Sequence, residues 1–292
     1  MSTVRSRLTV GEIARYRAEG FVQPISVIES DVAAGLRHAA AEHIAGLVPT
    51  ERYELTDNVK VGRIEKPDGS ASYEYLDEEQ AEPHTLPFLF NIWRLDVRFR
   101  AVAFDRRIAT MARQLLGCDD VLLMEDNVVA KVPGAGVVPW HQDLSYWPVD
   151  QPSVVTLWIA LDNIEPRNGA MTVVPGSHRT VEHLPVQFRD AATFMSEHRP
   201  GVPTLSQDPV ADGRPVVIYQ LRPGEAGFHH PLLWHGSTPN GSAEVRNAYV
   251  LRYVASGTPW LGSSRVPYDD IGCAVGDPIT GHHLPRVPTD NE

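Results

Sequence analysis

Trp140-His141-Gln142-Asp143 sets an imidazole and a carboxylate one residue apart, and a second isolated histidine, His235, follows 94 residues further on (141 to 235). Two imidazoles and one carboxylate can hold a metal ion. His141 and Asp143 can converge on one ion from a single strand end, and His235 then completes one face of an octahedron, leaving three positions open. Such a set suits Fe(II) and oxygen chemistry, whereas a structural zinc is usually enclosed by four ligands. Arg246 follows eleven residues after His235. It is a permanent cation able to grip a carboxylate through two parallel hydrogen bonds. Fe(II) with one carboxylate already carries a net positive charge, so a cation beside it calls for a dianionic co-substrate.

These residues need elements to carry them. Arg246 to Val254 reads as a strand, and its period of two puts Arg246 and Arg252 on one face. In 121–131 the same alternation brings Glu125, Asn127 and Lys131 to one face and Leu122, Met124, Val128 and Ala130 to the other. That polar stripe fits either a cavity or solvent. Thr156 and Trp158 share a face within 153–161. Apolar residues recur at helical spacing in 9–19, 30–47 and 87–117. After Gly117 the chain breaks into short β runs at 121–132, 153–161, 170–175, 215–221, 226–234 and 246–254. Helices first and strands afterwards predict an α+β, mainly β fold, with N-terminal helices buttressing one sheet of a sandwich or jelly roll. Residues 50–86 and 183–212 show little regular pattern and are expected as loops, placed as lids if they lie over a barrel mouth.

A longer string of motifs narrows this. Lys131-Val132-Pro133-Gly134, Trp140 through Pro148, Trp158-Ile159-Ala160-Leu161-Asp162, Asn168-Gly169, Pro175-Gly176-Ser177-His178-Arg179 and His235 through Asn240 with Arg246 together resemble the phytanoyl-CoA dioxygenase family. The strong part covers about 121–254; Tyr16 and Gly20-Phe21 are a weaker N-terminal echo. The resemblance implies a double-stranded β-helix (a cupin-like jelly roll), Fe(II) on His141, Asp143 and His235, 2-oxoglutarate as the dianion, and O2. It places Arg246 and Ser237 on the C5-carboxylate, makes Trp158 a wall of the co-substrate pocket, and sets Asn127, Gln142 and Thr156 among the co-substrate contacts. The implied reaction is hydroxylation of a C–H bond with release of succinate and CO2. Desaturation, epimerisation or ring closure would use the same residues. A cupin-like metal-dependent isomerase or hydrolase would need the triad without Arg246 or Ser237, and a non-catalytic jelly-roll binding module would need none of them intact.

Composition agrees with a soluble enzyme. The 292 residues, 42% hydrophobic and 22% charged, suffice for one domain with a substantial core. The expected layout is a single domain over 1–292: a helical part to about 117, a jelly-roll core over about 118–256 and a tail over 257–292. No run of about 18 apolar residues occurs, and Met1-Ser2-Thr3-Val4-Arg5 leads into no signal-peptide core. Two cysteines, Cys118 and Cys273, are too few for a disulfide framework, so a cytoplasmic location is expected. A net charge of −11 argues against nucleic acid, and no membrane partner is expected.

The remaining histidines read as structural. At most one of His229 and His230 can face the metal cavity, since neighbours on a strand point to opposite faces, and neither is needed as a ligand. His178 reads as a turn residue, and His282-His283 lie in a tail expected to be disordered. Tyr146, Trp147, Glu125 and Arg252 are the candidate substrate contacts. The ending Pro288-Thr289-Asp290-Asn291-Glu292 lacks a peroxisomal signal, and no basic site for CoA phosphates stands out. Three lysines among 26 basic residues suggest a GC-rich bacterial genome, where relatives tailor secondary metabolites or modify amino-acid-like molecules.

Overall fold

A computed structural model of the chain describes residues 3–46, 51–56, 59–65, 71–76, 88–149, 152–180, 205–262, 268 and 271–288. Four helices are described: α1 (Val10–Glu19), α2 (Ser30–Gly46), α3 (Val97–Ala103) and α4 (Arg106–Leu116). The strands are β1 (Phe21–Ser26), β2 (Glu51–Thr56), β3 (Val59–Glu65), β4 (Ala71–Leu76), β5 (Phe88–Phe90), β6 (Val121–Lys131), β7 (Val138–His141), β8 (Val154–Ala160), β9 (Met171–Val173), β10 (Val217–Ile218), β11 (Glu225–His229), β12 (His235–Ser237) and β13 (Arg246–Ala255). They form two antiparallel sheets. The larger runs β1-β11-β8-β13-β6-β5-β4-β3-β2 and the smaller β10-β9-β12-β7.

Alternation along the central strands decides what each face of the larger sheet touches. Val155, Leu157 and Ile159 of β8 and Tyr249, Leu251 and Tyr253 of β13 point outward into one buried cluster with Leu36, Phe99, Ile108 and Met111 of the helices. Trp158, Ala160, Ala248 and Val250 point inward and meet Met171 and Val173 of the smaller sheet. Each fully buried side chain of this size contributes roughly 1.5–3 kcal/mol. The helices therefore back the larger sheet, and the smaller sheet covers its inner face.

Several expectations need correction. The helical reading of 87–117 is interrupted: Phe88–Phe90 is a strand, and Asp96 and Asp105 cap α3 and α4 by accepting from the amides of Arg98 and Arg107. Part of 50–86, expected as loop, supplies β2, β3 and β4 to the edge of the larger sheet. The run 226–234 ends as a strand at His229 and resumes only at His235. Within 183–212, residues up to 204 lie outside the described residues.

The predicted face of β6 holds from Glu125 onward but not before it. The register of β13 on β6 shifts between Arg252 and Tyr253, and this irregularity puts Leu122 and Met124 in a different cluster from Val128. The described part of the tail is not loose either. Leu123 donates its amide to Pro285 O, Val287 donates to Val121 O, and Ile279, Leu284 and Val287 are buried. Within that tail Thr280 donates its amide to His283 Nδ1.

Candidate metal centre

His141 ends β7 and His235 opens β12, and the two stand directly opposite each other in the ladder of the smaller sheet. Cross-strand partners share a face, so the imidazole centroids come to 4.0 Å. After His141 the chain enters a single 3-10 turn, Asp143–Tyr146, which returns the Asp143 carboxylate to the pair. Its Oδ1 lies 3.5 Å from Nε2 of His235 and 3.9 Å from Nε2 of His141. The three donor atoms fall within 4.8 Å of one another, and all three residues are buried.

The donor chemistry fits a divalent metal. His141 Nδ1 donates to Pro139 O at 2.8 Å, and His235 Nδ1 donates to Leu233 O at 2.9 Å. Those bonds fix the tautomer in which each Nε2 keeps its lone pair facing the shared point. Burial, then the neighbouring His235, pushes the His141 imidazole down to about 3, so it is neutral and able to ligate. Burial alone would raise Asp143, but His235 and the hydrogen bond from His229 hold its carboxyl well below the usual range.

The other carboxylate oxygen of Asp143 has separate partners. Thr156 Oγ1 donates to Oδ2 at 3.0 Å and His229 Nε2 donates to it at 3.2 Å. His229 pairs with Thr156, Thr156 with Arg252, and Arg252 with Glu125, so four polar residues on four adjacent strands form one row across the larger sheet. The sequence alone reads His229 as structural. The alternation in Ala226-Gly227-Phe228-His229 was its signal, because Phe228 belongs to the outer core and His229 must face the other way. His230 lies elsewhere, its ring 5.0 Å from that of His178 at a cleft of about 240 Å³.

A second group of buried cations lies along the same inner face. Arg246 is 3% exposed, and its Nε and one terminal nitrogen have no hydrogen-bond partner among the described residues. Burial pushes it down to about 10, and its guanidinium lies 5.3 Å from the Trp158 ring centre. Its cross-strand partner is Lys131, whose Nζ donates to Ser237 Oγ and Thr238 O, both at 2.6 Å. Burial and the nearby Arg246 push Lys131 down to about 7. Gly169 makes room for it: a Cβ there would lie 2.4 Å from Lys131 Cδ, and its φ of +85° favours glycine in any case. Two buried basic side chains are thus cross-strand neighbours, Lys131 bound to Ser237 and Arg246 left with unpartnered nitrogens that an anion can take.

The remaining expected residues divide. Arg252 binds Glu125 at 3.1 Å and Asn127 Oδ1 at 3.0 Å, and Tyr268 donates to the other Glu125 oxygen. Burial raises the Glu125 carboxyl despite the pull of Arg252. The Tyr146 ring lies 6.0 Å from that of His141, and Trp147 lies 5.6 Å from the Arg252 guanidinium carbon. Gln142 donates its amide to Leu232 O at 2.9 Å, tying the 3-10 turn to the segment before His235.

Two buried imidazoles, an ionised carboxylate and a buried guanidinium with unpartnered nitrogens, all held between two β sheets, define a non-haem iron dioxygenase dependent on 2-oxoglutarate. Known proteins lead to the same class. The chain belongs to the phytanoyl-CoA dioxygenase (PhyH) family, whose sequence model matches residues 16–248. It is 25% identical over 229 residues to a probable alpha-ketoglutarate-dependent hypophosphite dioxygenase of Stutzerimonas stutzeri, covering 76% of this chain and 74% of that one. Several further relatives are matched over about half their length. The fold is similar to the non-heme alpha-ketoglutarate-dependent carbocyclase SnoK of nogalamycin biosynthesis, with a TM-score of 0.70 at 20% identity over 98% of this chain and 100% of that one. The epimerase SnoN, solved with Fe3+, alpha-ketoglutarate and nogalamycin RO, gives 0.67 at 22% identity over 95% of this chain and 97% of that one.

Proposed function

We propose that this chain hydroxylates an unactivated C–H bond of a small organic molecule. The observation that carries this reading is Arg246, a buried guanidinium with open donors on the larger sheet, whose inner face is covered by the smaller sheet that bears His141 and His235. Iron(II) bound with 2-oxoglutarate supplies C–H oxidation at the expense of O2, with succinate and carbon dioxide as by-products. The chain's own residues prepare the place. His141 and His235 present fixed Nε2 lone pairs, and Asp143 presents Oδ1. Arg246 holds the far carboxylate of 2-oxoglutarate, with Lys131 fixing the Ser237 hydroxyl beside it. Trp158 walls the pocket, Asn127 lies next along the same face, and Gln142 and Thr156 support it through the 3-10 turn and Asp143. Tyr146, Trp147, Glu125 and Arg252 line the substrate side.

Asp143 bears on the outcome, because a carboxylate in the third protein position leaves no vacancy for chloride and favours hydroxylation over halogenation. The framework we assign is a double-stranded β-helix in one domain over 1–292. The setting we assign is cytoplasmic, in bacterial secondary metabolism or the modification of amino-acid-like molecules. No helix among the described residues is long and apolar enough to cross a membrane. The test is a screen of a metabolite library for substrate-dependent succinate release by the iron-loaded chain, with His141→Ala as the control. Turnover that does not require 2-oxoglutarate, or that survives His141→Ala, overturns the proposal.

A further inference from the structure

His229 is buried at 1% exposure on β11 and is not one of the three clustered ligand residues, yet it spends its Nε2 on Asp143. The two oxygens of that carboxylate do different work. Oδ1 faces His235 and His141, while Oδ2 faces His229 and Thr156 at 3.2 and 3.0 Å. A carboxylate free to rotate can offer both oxygens to a metal and so occupy one more coordination position. Here two donors from adjacent strands meet the same oxygen, and they are themselves cross-strand partners. The sheet register therefore sets the carboxylate's rotation. Nδ1 of His229 has no partner among the described residues, so its one hydrogen bond is what orients the ring.

We propose that His229, with Thr156, is a positioning residue that reserves Oδ1 of Asp143 for the metal and keeps Oδ2 away from it, preserving the positions that 2-oxoglutarate and oxygen need. This rests on the assignment of His141, Asp143 and His235 as ligands. The geometry also separates His229 from a general packing role, because only a donor at the Nε2 position reaches Asp143. A glutamine at 229 carries its amide nitrogen to that position. An asparagine carries it only as far as Nδ1, though it is equally polar.

The experiment compares His229→Gln, His229→Asn and His229→Phe, each loaded with Fe(II) anaerobically and titrated with 2-oxoglutarate while the visible charge-transfer band is followed. Cobalt(II) spectra of the same proteins report ligand number without turnover. Removal of partners that orient metal ligands typically costs 10–100-fold in affinity or activity. The asparagine and phenylalanine variants should therefore bind 2-oxoglutarate at least about tenfold more weakly and show an altered cobalt spectrum, while glutamine stays within about threefold of the parent. If phenylalanine prevents folding, the glutamine–asparagine contrast decides. An asparagine variant equal to the parent, or a glutamine variant as impaired as asparagine, overturns the proposal. His141→Ala run alongside separates the cases: retained metal there defeats the ligand assignment, whereas lost metal there with an unaffected His229→Asn defeats the role of His229 alone.

Discussion

Replacing Arg246 by leucine should move two observables in opposite directions. The guanidinium is 3% exposed, and burial pushes it well below the usual guanidinium range, down to about 10. A base whose folded pKa is depressed destabilises the native state at every pH below that value, here by roughly 3 kcal/mol at neutral pH. Leucine removes that cost but also loses the contact with Trp158, about 1 kcal/mol. The protein without metal or 2-oxoglutarate should thus gain roughly 1–3 kcal/mol in urea unfolding. Affinity should fall, because a charge-assisted bidentate contact to a carboxylate is lost, at about 2–4 kcal/mol or roughly 30- to 1000-fold. The assay is anaerobic titration of the Fe(II)-loaded variant with 2-oxoglutarate, beside unfolding with and without saturating 2-oxoglutarate. Since saturating 2-oxoglutarate should stabilise the parent by about 2–4 kcal/mol more than the variant, the variant's advantage should shrink or reverse when 2-oxoglutarate is added. Unchanged affinity refutes the clamp, and a large loss of stability in the free variant refutes the uncompensated charge. Arg252 is a poor substitute for the clamp, being already committed to Glu125 and Asn127.

Asp143→Gly should abolish hydroxylation while leaving His141 and His235 in place, and with high chloride or azide it opens a position where an anion can bind; full hydroxylation by this variant would remove Asp143 from the ligand set. Asp126 offers a test away from the site. Its carboxyl is fully buried behind β6, accepts from Tyr249 and the Trp93 amide, and is pushed up to about 7, chiefly by burial. An acid with a raised folded pKa contributes stability that is complete below its unfolded value, near 3.8, and is lost as pH rises to about 7. Asp126→Asn should therefore gain on the parent by roughly 3 kcal/mol between pH 5 and pH 8, read by urea unfolding at both; a pH-independent difference would show that Asp126 stays ionised throughout.

The contrast between what sequence foretold and what it hid follows from range. His141, Asp143, His235 and Arg246 sit in short motifs, so their types and spacing suggest a metal and an anion, and the longer motif string with its family resemblance narrows that to one site. His229 lies six residues from His235, but its value depends on which strand it pairs with, and register is set by the whole sheet. Glu125 and Arg252 were legible as a polar face, but their closure onto each other, with Tyr268 arriving from the tail, is a tertiary fact. Phe88–Phe90 is too short to show a period beside the helices that follow. The edge strands β2 to β4 were missed although Val59, Val61, Tyr73 and Tyr75 alternate, because charged and turn residues break the runs.

The cross-strand placement of His141 and His235 also bears on assembly. Two ligands from distant parts of the chain face each other across one ladder, so the binding point does not exist until β7 and β12 have found their register. A slip of one residue would turn one imidazole to the opposite side of the small sheet. Any metal that needs both rings therefore acts as a clasp on a single alignment, favouring it by mass action over every neighbouring one. The small sheet, with strands of only two to four residues, is where such a clasp has most to hold.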